Sequence, residues 1–173
     1  MRNKTSEKGQ SLIEFALMLP LIFLLIVNAV NFGGYLYAGI TVANAARAGA
    51  EYGIIGGAMA TAPTPATNAQ IAALVTNDIL SLPNKASAQI RVCKNNNGVA
   101  TCTCMTGSCT GMTAPPADPE NTGAAAALYV STTVDVKYTY QPFIPLWEFP
   151  ALSIRATLPA TTIYRKGVMR SMS

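Results

Sequence analysis

The chain has 173 residues, enough for one domain beside a membrane anchor but not for two large ones. Only 12% of residues are charged against 50% apolar, about half the charged share of an ordinary soluble domain. The net charge is +4, with basic residues gathered at the two ends (Arg2, Lys4, Lys8; Arg165, Lys166, Arg170) and no basic stripe interleaved with aromatics, which argues against a nucleic-acid partner.

Residues 15–46 carry no charge, a run of 32. A bilayer core needs roughly 20 apolar residues of helix, so one span fits within it. The densest part reads FALMLPLIFLLIV, and Asn28 and Asn31 are its first polar interruptions. A chain this short could not wrap such a helix on all sides, so a buried core helix is the weaker reading. A secretory signal peptide would need a basic start, a short apolar stretch and a small-residue cleavage site, which the region of Gly33 and Gly34 could supply. Glu14 at the head of the run, Pro20 inside it and the long uncharged continuation count against that. Three basic residues against Glu7 in the leader predict a cytoplasmic N-terminus, with everything after the span outside.

Glu14 is the unusual residue. An acid at the centre of a membrane helix costs roughly 2.5–3.5 kcal/mol, and less near an end. It is either an interfacial carboxylate reaching back to water or a buried one awaiting a positive partner from another subunit.

The string Gly9-Gln10-Ser11-Leu12-Ile13-Glu14-Phe15 before an apolar helix resembles the class III signal of type IV prepilins. With the continuing Ala-Leu-Met-Leu-Pro-Leu-Ile-Phe-Leu and the later Val-Ala-Asn-Ala-Ala-Arg-Ala-Gly-Ala of residues 42–50, it is similar to the TadE-like family. These are minor pilins or pseudopilins of the tight-adherence type IV pilus system, and the resemblance is specific over about the first fifty residues. It implies cleavage by a prepilin peptidase between Gly9 and Gln10, leaving Gln10 as the new N-terminus. It implies, too, that Glu14 becomes the fifth mature residue and meets the α-amine of a neighbouring subunit. Opposite charges in a low dielectric attract strongly, and each is costly alone. Many major pilins begin with an N-methylated apolar residue; Gln10 departs from that pattern, which leaves methylation open. Other pilin-like subunits, the peptidase, a pilus assembly platform and membrane lipid are the implied partners. The implied location is the bacterial inner membrane, single-pass, with incorporation into a surface pilus.

Helical spacing continues beyond the span. Gly39 and Ala43, Ala46 and Ala50, and Gly49, Gly53 and Gly57 recur every fourth residue, and small residues at that spacing admit the close approach of another backbone. Each glycine lowers helix propensity by about 1 kcal/mol relative to alanine, so packing is expected to compensate. The expected organisation is a leader over residues 1–9, a transmembrane and extended helix over 10–57, a linker over 58–66 and an extracytoplasmic domain over 67–173. Pro63 and Pro65 stop any helix in the linker.

Thr67 or Asn68 can cap a short helix running to about Ser81, with Ile71, Leu74, Val75, Ile79 and Leu82 as its apolar stripe. Three strand patterns follow. Ala86, Ala88, Ile90 and Val92 alternate with polar neighbours; the longest pattern runs from Leu128 to Tyr140; the last runs from about Leu152 to Tyr164, with Pro159 limiting it. The fold class predicted is α+β: a long N-terminal transmembrane helix, a short second helix and a small antiparallel sheet, which is also the gross layout of pilins.

Cys93, Cys102, Cys104 and Cys109 fall within a loop rich in Gly, Asn and Thr. Outside the cytoplasm two disulfides are the natural reading. Cys102 and Cys104 are poor partners for each other, leaving 93–102 with 104–109 or 93–104 with 102–109. The paired two-residue spacings of a zinc site are missing, so no metal is expected. The loop is expected to extend through residues 114–123. Residues 141–150, with three prolines and the single Trp147, could lie on the outer membrane surface or plug the core, and the core plug is favoured.

Nothing points to an enzyme. The sequence has no histidine, no phosphate-cradling glycine loop, no nucleophile elbow and no close acidic pair, and no cofactor is expected. The readings that remain are a minor pilin or pseudopilin, a membrane-anchored extracytoplasmic binding or envelope protein never processed or assembled, and a secreted domain freed of its first thirty-odd residues.

Overall fold

The computed structural model describes residues 5–56, 66–96, 99–115, 129–145, 148–149, 154–155 and 158–172. Leu128, Trp147, Gly57 and the linker prolines lie outside them. Helix α1 spans Thr5–Ile55 and helix α2 spans Asn68–Asp78. The strands are β1 Gln89–Asn96, β2 Val99–Thr106, β3 Tyr129–Tyr140, β4 Glu148–Phe149, β5 Ile154–Arg155 and β6 Thr161–Met172. Strands β2-β1-β3-β6 form one antiparallel sheet in that order, and β4 pairs with β5 alone. The expected α+β layout of long apolar helix, short helix and small antiparallel sheet is the one observed.

The chain forms two compact units. One comprises Met1–Leu36 with Pro142–Ala160; the other comprises Tyr37–Gln141 with Thr161–Ser173. In the first, Leu12, Ile13, Phe15, Leu17, Met18, Leu21, Ile22, Phe23 and Leu25 are all exposed around the full circumference of α1. Pro20 is accommodated inside the helix, as lipid-facing helices tolerate.

The second unit holds the core. Val42, Ala45, Ala46 and Ala50 of α1 are buried, as are Ile71, Val75 and Ile79 from the α2 region and Ile90, Val92, Val134, Val136, Tyr138 and Tyr140 from the sheet. Each such large apolar side chain contributes roughly 1.5–3 kcal/mol by leaving water. Alternation places the even-numbered residues of β3 on the core face. The two helices and the sheet converge at Gly49, where an added Cβ would lie 2.6 Å from Val75 Cγ2 and 3.5 Å from both Ile71 Cγ2 and Val134 Cγ1. One turn on, a Cβ at Gly53 would lie 2.5 Å from Thr132 Cγ2. Gly167 of β6 meets the α1 backbone itself: its Cβ would fall 2.6 Å from the Ala46 carbonyl carbon and closer still to the oxygen.

Helix α2 starts where its sequence indicates. Thr67 is the N-cap, and Thr67 and Gln70 form a reciprocal capping box, with Gln70 N–H donating to Thr67 Oγ1 at 3.3 Å and Thr67 N–H to Gln70 Oε1 at 2.9 Å. The regular helix stops at Asp78, short of Ser81, but Ile79 and Leu82 remain buried in the turn that follows.

Three strand expectations need correction. The first strand begins at Gln89, because Lys85–Ser87 form a 3-10 turn, and it continues to Asn96. The cysteine segment read as loop contains β2, which lies at the sheet edge with nearly every residue exposed and so shows no apolar alternation. The last strand is not continuous from Leu152 to Tyr164. Ile154 and Arg155 pair with β4, whereas β6 begins beyond Pro159 and carries the basic C-terminal tail along β3 as far as Met172. Pro159 has no N–H to give a ladder, so the long strand starts after it.

A Gly167→Ala variant should be destabilised by about 1–3 kcal/mol, because its methyl meets helix backbone that cannot rotate away. Gly39→Ala should be neutral or slightly stabilising, since nothing lies within 4 Å of that Cβ position. Thermal melts of the full chain in detergent, followed by near-ultraviolet circular dichroism, distinguish the two.

Candidate anchoring and assembly helix

The region around the expected processing point is helical and open. Gly9 and Gln10 lie inside α1, both exposed, and a Cβ at Gly9 would meet nothing within 4 Å. Glu14 is exposed one turn further on, and Gln10 Nε2 donates to its Oε1 at 3.4 Å. This long bond between exposed side chains is a weak contact. The carboxylate therefore stands on the apolar surface of the helix, beside Leu12, Ile13 and Phe15, and within reach of an incoming group.

The small residues expected to admit another helix divide into two sets. Gly39 and Ala43 are half-exposed, with open space at the Gly39 Cβ position. Ala46, Gly49 and Gly53 are buried against the chain's own sheet and α2. Their compensating packing is intramolecular. Gly57 lies outside the described residues.

The two polar interruptions of the apolar run have different fates. Asn28 Nδ2 donates to Leu24 O at 3.0 Å, back onto its own helix. Asn31 is fully buried: its Nδ2 donates to Ile144 O at 3.0 Å, and its Oδ1 accepts from Ile144 N–H at 3.1 Å. Residues 142–145 thus belong with the helix near Asn31, not with the sheet core. Phe143 and Ile144 are exposed, which overturns the expected core plug for these two residues. Trp147, also assigned to that plug, lies outside the described residues.

The four cysteines form Cys93–Cys102 and Cys104–Cys109. Register decides between the two pairings left open by spacing, because Cys93 stands directly opposite Cys102 across β1 and β2. Beyond β2 the chain turns back through Gly107 and Cys109, both with positive φ, bringing Cys109 to Cys104. Among the described residues no cluster of three or more His, Cys, Asp or Glu could hold a metal ion.

A buried charge network on the sheet face opposite the core was not anticipated. Asp135 is fully buried and forms an ion pair with Arg91 at 2.6 Å. Arg91 also donates Nη1 to Met112 O at 3.0 Å and Nη2 to Thr113 O. Tyr164 O–H donates to Asp135 Oδ1 at 2.7 Å, and Lys166 Nζ stands 3.9 Å from the same oxygen. The register aligns Arg91, Asp135 and Lys166 across three strands. Two observations could have flagged it: an arginine and an aspartate, each inside an otherwise apolar or hydroxyl-rich alternation. Gly167 carried a signal too, since an isolated glycine within a strand marks close backbone approach.

These features define an α+β chain carried on one long helix whose N-terminal half is apolar and exposed on all sides; it is the one span among the described residues long and apolar enough to cross a membrane. Residues 9–51 match the family model described as TadE-like protein. The match opens at Gly9 and closes at Glu51, so it coincides with the helix and leaves α2 and the sheet outside it. No curated protein and no solved structure matches the chain.

Burial, the hydrogen bond to Asp135 and the Asp135 charge push the Tyr164 hydroxyl up to about 12. The folded value lies above the ordinary tyrosine value of about 10, so this contribution is whole below about pH 10 and is lost as pH rises through it. Tyr164→Phe should therefore lower stability at neutral pH by about 1–2 kcal/mol and lose less between pH 10 and 12 than the parent. Melts across that range, with tyrosinate absorbance, provide the check.

Proposed function

We propose that this chain is a minor pilin or pseudopilin of a Tad-type pilus or secretion apparatus. The observation that carries the reading is the coincidence of the TadE-like match with the exposed apolar helix, beginning at Gly9 itself. A helix so exposed over its first half is suited to lipid before assembly and to the sides of other helices afterwards. The basic leader stays in the cytoplasm and the sheet domain lies outside, where its disulfides are stable. A prepilin peptidase cuts between Gly9 and Gln10, and the open space at Gly9 suits access to that bond. Glu14 then meets the α-amine of a neighbouring subunit, and each compensates a charge that would be costly alone in an apolar setting. The assembly platform and other pilin-like subunits are the partners, and the chain performs no catalysis. The leader, helix, linker and outer domain divide as residues 1–9, 10–57, 58–66 and 67–173.

The mature N-terminus tests this directly. Mass spectrometry of the protein recovered from membranes should find Gln10 first; Met1 would instead mark an unprocessed membrane-anchored binding or envelope protein, and a start beyond about residue 33 a secreted domain. Gly9→Lys should abolish processing, and persistent cutting at this bond would count against the prepilin reading. Glu14→Ala should still be cut and inserted but fail to enter the fibre, as read by shearing and immunoblotting of surface material. Normal incorporation would remove the charge-pairing role.

A further inference from the structure

We infer that the Phe143–Ile144 segment is a second membrane contact, a wedge seated in the outer interface of the bilayer and held to the helix by Asn31. This rests on the reading of α1 as a membrane span. Asn31 lies about 28 Å along the helix from Leu12 at about 1.5 Å per residue, close to the roughly 30 Å thickness of the hydrocarbon core. That places Asn31 where the span leaves the lipid. The segment belongs to the same compact unit as the span.

The bonding at this point suits an interface. An unpaired peptide group is expensive wherever water is scarce. Asn31 presents one donor and one acceptor to a single residue, satisfying both the N–H and the C=O of Ile144. With its backbone satisfied from the helix side, Ile144 is free to turn its side chain outward, and it is 38% exposed; Phe143 beside it is 52% exposed. Phe23, Leu24, Leu25 and Ile26 of the same unit are exposed and apolar as well. In the sequence that follows Ile144, residues 146–157, Glu148 and Arg155 are the only charged residues. Phenylalanine and isoleucine side chains each gain roughly 1.5–3 kcal/mol by leaving water for an apolar medium. An exposed apolar pair at this depth, with both backbone groups of Ile144 satisfied, fits lipid as its occupant.

The test uses the full chain in phospholipid nanodiscs. All four native cysteines are in disulfides, so Phe143→Cys introduces a single thiol for a nitroxide. Leu21→Cys reports the span and Val99→Cys, on the exposed strand β2, reports water. Collision with oxygen relative to a nickel chelate should be several-fold higher at 143 than at 99, and lower than at 21. Adding Asn31→Leu, which keeps the helix apolar but removes both hydrogen bonds, should bring the 143 signal to the level of 99 and leave 21 unchanged. A water-like signal at 143 beside a lipid-like signal at 21 overturns the wedge while the anchor survives; water-like signals at both overturn the anchor itself. Protection of 143 from both collision partners, with dipolar broadening, would assign the segment to a second copy and overturn the lipid assignment. No change on adding Asn31→Leu would overturn the role of Asn31.

Discussion

Gly167 of β6 rests on the backbone of α1 at Ala46 and Arg47, where no side chain fits between them. Around that approach Gly49 admits Val75, Ile71 and Val134, and Gly53 admits Thr132. Glycines weaken a helix in isolation, and the sheet and second helix pressed against this stretch of α1 offset what Gly49 and Gly53 cost it. The constraint ties strand β6 at the end of the chain to a helix at its beginning, and the buried face of β3 packs on that helix beside β6.

The same helix does two jobs with two compositions. Over residues 12–26 its large apolar side chains are exposed on every side. From about Val42 onward it is small on the face that meets the domain, with Val42, Ala45, Ala46 and Ala50 buried. The change follows from what each stretch must touch. Lipid accepts any apolar shape, whereas close approach of another backbone favours small residues such as glycine and alanine.

The sheet's far face is held differently. Buried there, Asp135 would be costly without partners, and Arg91, Tyr164 and Lys166 reach it from neighbouring strands. Arg91 carries the bonding on to the backbone at Met112 and Thr113, so the turn closed by Cys104–Cys109 is fixed by a disulfide at one side and a guanidinium at the other. A short chain with one shallow core is strengthened by such links.

Local pattern was sufficient for the long apolar helix, for Thr67 as a cap and for the alternating strand β3, because each depends on residues near in sequence: an unbroken apolar run, a reciprocal cap and a period of two. The contiguous motif that holds Gly9, Gln10 and Glu14 lies at the start of the stretch that matches the TadE-like family model. Strand β2 was invisible because an edge exposed on both faces leaves no apolar period. The break before β6 was only half visible, since Pro159 signalled an end but not the strand that begins after it. Which cysteines pair depended on the register that sets Cys93 opposite Cys102. Whether Ala46, Gly49 and Gly53 receive a foreign helix or the chain's own sheet depended on Gly167, more than a hundred residues away. The partner of Asn31 is 113 residues away and those of Arg91 and Asp135 between 21 and 44, so folding alone brought them together.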